Sequence, residues 1–308
     1  MNNIKIDVFA HILTEEYFIE LKKLKADIVN DPIFKFTTDI LTDINVRREY
    51  QKQFPEVRQL ISMININPED YFDAEKSFEL TYNANEELVK VVKENSDLFC
   101  GAVAMLPMNN IKGALKIINE QVVNNKELYG VQLFTKALNK SIASEEYLPI
   151  FEAISKNNLA IWLHPVFDLN KKDNNIVFSW EYEESQAMLE IIRAGVFEKY
   201  PNIKIIIHHA GAMVPFFANR LPVTMPPKQA EQFKLFYVDT AILGNSFALE
   251  NALDYYCEDR LLFGTDAPIG ILPAGATKEV IESIEKMRTT DNVRDKIYRE
   301  NVKRLLNI

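Results

Sequence analysis

A chain of 308 residues is long enough to bury one large core or two ordinary ones, and its 47% apolar and 26% charged content is that of an ordinary globular enzyme. With 35 basic against 44 acidic residues, a net charge of −9, it lacks the basic footprint that nucleic acid requires. No apolar run is long enough to span a bilayer, MNNIKIDVFAHI lacks the plan of a signal peptide, and Cys100 and Cys257 are too few for a disulfide framework, which points to the reducing cytosol.

Eight short β-branched or aromatic runs follow one another: 4–9, 58–64, 98–104, 129–134, 159–164, 203–208, 235–240 and 260–265. Most are near-continuous apolar strings, the pattern of strands covered on both faces. Cys100 falls inside the third and reads as a small buried hydrophobe. Segments with helical spacing lie between and after the runs: 69–95, 109–124, 144–157 (opened by Ser144 with Glu145 and Glu146), 182–199, 246–257, 277–288 and 291–306. Alternation of this kind predicts an α/β fold of the (β/α)8 TIM-barrel type, one domain over 1–308. An open doubly wound sheet would need a glycine-rich phosphate turn after the first strand, and AHILTEEY has no glycine. Residues 14–57, with Asp31-Pro32 and the charged segment NVRREYQKQFPE, exceed a single crossover helix and predict an excursion over the rim or a dimer contact.

All four histidines lie where such a run meets a loop: His11 after the first, His164 closing LAIWLH, and His208 and His209 closing IKIIIHH. Asp266 ends the eighth, in Gly-Thr-Asp-Ala-Pro. Imidazoles and a carboxylate gathered at one end of a parallel barrel are ligand chemistry for a divalent transition metal. Each has a plainer reading too: His11 and His164 as packed core histidines, Asp266 as a turn or helix-capping residue. His208 and His209 are adjacent, so an extended backbone points them to opposite sides; one belongs to the site, and strand arithmetic leaves open which. Asp7, inside the first strand, needs a partner to be buried, and Asp239 is a supporting group or a turn residue. Arg47 suits a substrate carboxylate if it is not merely solvated, and Trp180 is a pocket wall if it is not core. Nucleophilic-serine, Walker and dinucleotide motifs are lacking.

These residues, in their order, resemble the amidohydrolase-related superfamily, in the branch of aminocarboxymuconate-semialdehyde decarboxylase. The resemblance rests on Asp7-x-x-x-His11, Asp43-Ile-Asn-Val-Arg47, Trp-Leu-His164-Pro, the block from Trp180 through Gly195 and His209-Ala-Gly-Ala to Arg220, Phe-Gly-Thr-Asp266-Ala-Pro and Asn301-Val-Lys-Arg-Leu-Leu. It implies His11, His164 and Asp266 as ligands of one divalent ion, zinc first, with manganese or iron open. It implies His209, not His208, as the catalytic histidine and Arg47 as the substrate-carboxylate cation; His208, Asp7 and Asp239 then read as supporting residues, and Phe9 and Trp180 as pocket lining. It also implies a homodimer. Phe9 departs from the pattern, standing where relatives place the first histidine of His-x-His.

The reading that follows is a metal-dependent, non-oxidative decarboxylase of a small unsaturated or aromatic carboxylate. A metal-dependent hydrolase of a C–N, ester or lactone bond uses the same residues. A metal-free binding protein on the same fold rests on Phe9 alone.

Overall fold

The computed structural model describes residues 4–30, 34, 38–166, 175 and 177–308. Asp31-Pro32 and most of the loop 165–180 lie outside the described residues. Among the described residues seven strands form one parallel sheet in sequence order. They are β1 (Lys5–Ile12), β2 (Val57–Met63), β3 (Phe99–Ala104), β4 (Leu128–Phe134), β5 (Ala160–His164), β6 (Lys204–Ile207) and β7 (Tyr237–Val238). Their near-continuous apolar strings are buried on both faces, as expected of parallel strands wrapped by helices.

β1 runs farther than its apolar string suggests, so His11 lies inside the strand rather than past it. A register irregularity between Asp7 and Ala10 lets it continue beside β2, with His11 opposite Ser62. The seventh run shrinks to two strand residues. The eighth forms no regular strand but bridges both sheet edges: Leu261 pairs with Val238 and Ala267 with Ala10. Backbone hydrogen bonds from Leu262 to Val238, from Val8 to Phe263 and from Asp266 to Phe9 make the same link.

Two apolar layers result. One cluster, including Ile6, Val8, Phe9, Leu60, Val103, Trp162, Ile206 and Leu262, holds strand residues with Val302 and Leu305 of the last helix. Cys100 is half-buried against it, and burial pushes its thiol up to about 12. A larger cluster joins the alternate strand residues to the surrounding helices. These include α1 (Glu15–Leu24), α2 (Asp39–Thr42), α3 (Ile44–Gln51), α4 (Ala74–Glu94) and α5 (Ser179–Arg193). The helix expected from 144 begins as a 3-10 turn, and regular helix starts only at Leu148.

The excursion between β1 and β2 carries α1, α2 and α3. The Glu87 side chain of α4 accepts from Thr14 Oγ1 and from the Glu16 and Tyr17 amides, capping α1 from another helix. Thr38 donates to the Pro273 carbonyl, tying the excursion to the loop after Asp266.

Candidate active site

The ends of β1, β5 and β6 and the bridging segment bring the expected groups together. His11 Nε2 lies 3.3 Å from His164 Nε2 and 3.2 Å from Asp266 Oδ1. The β4–β5 register sets Phe134 beside His164, with ring centroids 5.3 Å apart. Asp266 reaches its place with φ of 61°, its amide donating to the Phe9 carbonyl.

Phe9 occupies the middle of this group. Its ring is fully buried and stacks on His208 at 3.5 Å and 15°. Its centroid lies 4.8 Å from that of His11, 5.6 Å from His164 and 6.2 Å from His209.

The Nδ1 atoms of three histidines are engaged. His11 Nδ1 meets Ser62 Oγ at 3.2 Å, His164 Nδ1 the Pro165 carbonyl at 2.7 Å, and His208 Nδ1 Asp239 Oδ2 at 2.6 Å. A carbonyl oxygen can only accept, so His164 carries its proton on Nδ1 and presents Nε2 as a lone pair. Burial first, then the neighbouring histidines, holds His164 and His208 well below the usual imidazole pKa, so both are neutral. His208 Nε2 is buried without a hydrogen-bond partner.

His209 turns away from this group. It adopts φ of 54°, and its amide, like that of Ala241, donates to Asp239 Oδ1. Its Nδ1 lies 3.2 Å from Glu181 Oε1 and 3.3 Å from Glu184 Oε2, both from α5. Burial opposes a charge on His209, but the two glutamates outweigh it and raise its pKa well above the ordinary value. Burial pushes Glu184 and Asp239 up to about 7. Trp180 stacks on His209 at 6.4 Å.

Beneath the histidines runs a buried polar chain. Asp43 caps α3 by accepting from the Asn45 and Val46 amides, which fixes Arg47 in the first turn. Arg47 is buried; it donates through Nη1 to the His11 carbonyl at 2.6 Å and through Nε and Nη2 to Gln59 Oε1. Burial lowers its pKa to about 10. Gln59 donates to Asp7, whose carboxylate also accepts from Thr265 Oγ1 and from the Thr265 and Phe9 amides. Burial still raises Asp7 to about 6. The structure thus sets Arg47 under His11, with three of its nitrogens on internal acceptors, rather than open in the pocket.

The site residues fit a divalent ion in kind and in part of their spacing. Neighbouring donors on one tetrahedral ion with bonds of about 2.0–2.1 Å stand about 3.3 Å apart, as His11 does from both His164 and Asp266. Outward partners on each Nδ1 are what orient metal-binding imidazoles. The set is not closed, however. Among the described residues, the one group of three whose ligand atoms all lie within 4.8 Å of one another is Glu181, Glu184 and His209.

The amidohydrolase family model matches residues 31–308. The chain belongs to this amidohydrolase family. It is 24% identical over 282 residues to the 6-methylsalicylic acid decarboxylase of Penicillium expansum, covering 86% of this chain and 85% of that protein. It is 25% identical over 322 aligned positions to the 2-amino-3-carboxymuconate-6-semialdehyde decarboxylase of Dictyostelium discoideum, covering 94% and 88%. The solved structure of a dihydroxybenzoic acid decarboxylase from Polaromonas, with bound manganese and 2-nitroresorcinol, superposes with a TM-score of 0.82 at 22% identity, over 99% of this chain and 97% of that one.

Sequence reasoning missed Gln59, Ser62, Thr265, Glu181 and Glu184. Gln59 and Ser62 were visible as polar interruptions of the apolar run RQLISMI, and the two glutamates as a pair three apart, sharing one helix face.

Proposed function

We propose that this amidohydrolase-family enzyme is a divalent-metal-dependent, non-oxidative decarboxylase of a small aromatic or unsaturated carboxylate. The observation that carries the reading is His11 Nε2 at ligand spacing from both His164 Nε2 and Asp266 Oδ1, with His11 and His164 each oriented through Nδ1. The decarboxylases among its relatives, which match most of the chain, supply the reaction class. His11, His164 and Asp266 hold the metal; zinc suits the two imidazoles and one carboxylate, as do manganese and iron. When bound, the ion orients the substrate carboxylate and withdraws charge from it.

The chain's own residues do the rest. The bond from the ring or alkene carbon to the carboxylate breaks, carbon dioxide leaves, and the electron pair stays on carbon. Asp266, after taking a proton from solvent water, delivers it to that carbon as general acid. Of the two groups available for that step, Asp266 touches His11, whereas His209 sits on Glu181 and Glu184. Arg47 holds the His11 carbonyl and so fixes the ligand end of β1. Phe9 and Trp180 wall the pocket; His208, Asp7 and Asp239 support it.

A single (β/α)8 barrel domain over 1–308 is part of the same reading, and the bridges of the eighth run to β7 and β1 support it. The excursion 14–57 caps its rim, which the Thr38–Pro273 bond supports. Phe178, Phe216, Val223, Phe247 and Leu272 are each at least 68% exposed, on segments that follow β5, β6, β7 and the bridging run. A homodimer is part of the same reading, and these exposed side chains are available to it. No described helix is long and apolar enough to cross a membrane, and free Cys100 and Cys257 suit the cytosol.

The test is carbon dioxide release from a panel of hydroxybenzoates and unsaturated dicarboxylates, with manganese or zinc added to metal-stripped protein. Turnover abolished in Asp266→Asn supports the reading. Acid or amine release from amide and lactone panels, without carbon dioxide, replaces it by the hydrolase.

A further inference from the structure

The second cluster calls for its own account. Glu181 and Glu184 lie three residues apart on α5, and His209 follows β6, so the three are brought together by packing and not by local sequence. Their ligand atoms lie within 4.8 Å of one another, with His209 Nδ1 at 3.2 and 3.3 Å from the two carboxylate oxygens. The two nitrogen–oxygen distances match the donor spacing about one ion with bonds of about 2.0–2.1 Å.

An ordinary ion pair explains the cluster poorly. Glu184 is fully buried and His209 nearly so, yet apart from their ion-pair contacts at 3.2 and 3.3 Å neither Glu184 Oε2 nor His209 Nδ1 has a hydrogen-bond partner. A charged N–H···O contact is normally about 2.7–2.9 Å and well aligned. Here both oxygens stand at longer range from the nitrogen, at 3.2 and 3.3 Å. Keeping the buried Glu184 ionised is costly beside a single imidazolium that Glu181 shares, whereas a dication with neutral imidazole balances both carboxylates. The second Glu184 oxygen is already used, accepting from the His208 amide. That bond fixes the carboxylate orientation, as supporting bonds do around metal ligands.

We propose that Glu181, Glu184 and His209 are a second divalent-cation seat, distinct from the strand-end group of His11, His164 and Asp266. Two carboxylate oxygens and one imidazole nitrogen favour manganese, and zinc next. Glu181, one-third exposed, leaves an open side for water or a ligand. An ion there ties α5 to the loop after β6 and fixes the ring of His209 against Trp180.

Metal stoichiometry tests this without a substrate. Chelator-stripped protein is titrated with manganese, followed by electron paramagnetic resonance and elemental analysis. The same is done for His164→Ala, Glu181→Gln and Glu184→Gln, each checked for folding by circular dichroism. Glutamine keeps the acceptor for the His208 amide, and Glu181 is exposed enough that its variant folds. Two equivalents are expected in the parent, one in each variant, with the Glu181 and Glu184 variants losing the same one. A single equivalent lost in Glu181→Gln but kept in His164→Ala supports this seat and removes the strand-end metal. A single equivalent lost in His164→Ala but kept in both glutamine variants overturns the seat and leaves the strand-end metal. Binding in neither place overturns both.

Discussion

The ring of Phe9 lies 3.5 Å from the imidazole of His208 and nearly parallel to it, so an apolar ring stands beside a neutral histidine where the site is most buried. Phe9 offers no donor, and His208 Nε2 has no hydrogen-bond partner. Replacing this ring by a donor tests whether the strand-end group is limited by the number of its ligands. Phe9→His is expected to tighten manganese or zinc binding at the His11 site about tenfold or more, measured by competition with a chelating dye. Lost packing should cost about 1–3 kcal/mol of apo stability. Unchanged or weaker affinity would mean that position 9 does not face the ion.

Arg47 separates two explanations of its place in the motif. If it braces His11, Arg47→Met leaves the His11 carbonyl and Gln59 Oε1 without buried donors. The expected cost is about 2–4 kcal/mol, seen as a lower Tm. Weaker metal binding should accompany it, because His11 loses its anchor. A variant with the parent Tm and metal affinity, changed only in KM, would restore Arg47 to the role of substrate clamp.

Most of the fold was legible because burial leaves a mark in composition. Both-face burial makes parallel strands read as apolar strings, and the first six runs became strands. The last two were only partly legible. The closing contacts of the eighth run with β1, the Ala10–Ala267 bridge and the Thr265–Asp7 bond, span more than 250 residues and leave no periodicity. The site was legible as a set of residue types at strand ends. Which way His208 and His209 turn was not, since it depends on φ of 54° at His209 and on Glu181 and Glu184 of another element. Arg47 looked available because a helical arginine is usually solvated, and only the packing of α3 against β1 and β2 sets it on internal acceptors.

Thr265 and Asp7 give a stability test with a defined pH dependence. Thr265→Val removes the 2.6 Å hydroxyl donor but keeps the shape of the side chain. The expected cost is about 1–3 kcal/mol. Asp7 is raised by burial to about 6, above its unfolded value, so the native state binds this proton more tightly. Its contribution is therefore complete at low pH and is lost as pH rises from about 4 to about 6. The Thr265 bond opposes that rise in pKa, so in the variant the loss should extend to higher pH. Denaturant unfolding at pH 5 and 8 checks this, and an equal cost at both values would contradict it.

Glu69 provides a cleaner pH probe. It follows β2 in the short 3-10 turn Pro68–Asp70, is buried, and its Oε2 has no hydrogen-bond partner. Burial, with Asp70 nearby, raises it to about 8 from an ordinary 4.5. The folded chain thus holds a proton that the unfolded chain releases between those values. Stability from this group is fully present below about pH 4.5 and is lost as pH climbs to about 8. Glutamine mimics the protonated form, so Glu69→Gln should unfold like the parent at pH 5 and be more stable by a few kcal/mol at pH 8.5, given about 1.4 kcal/mol per pH unit. Parallel stability curves for the two proteins between pH 5 and 9 would show that Glu69 is ionised in the fold, and would require a cation or a donor beside it.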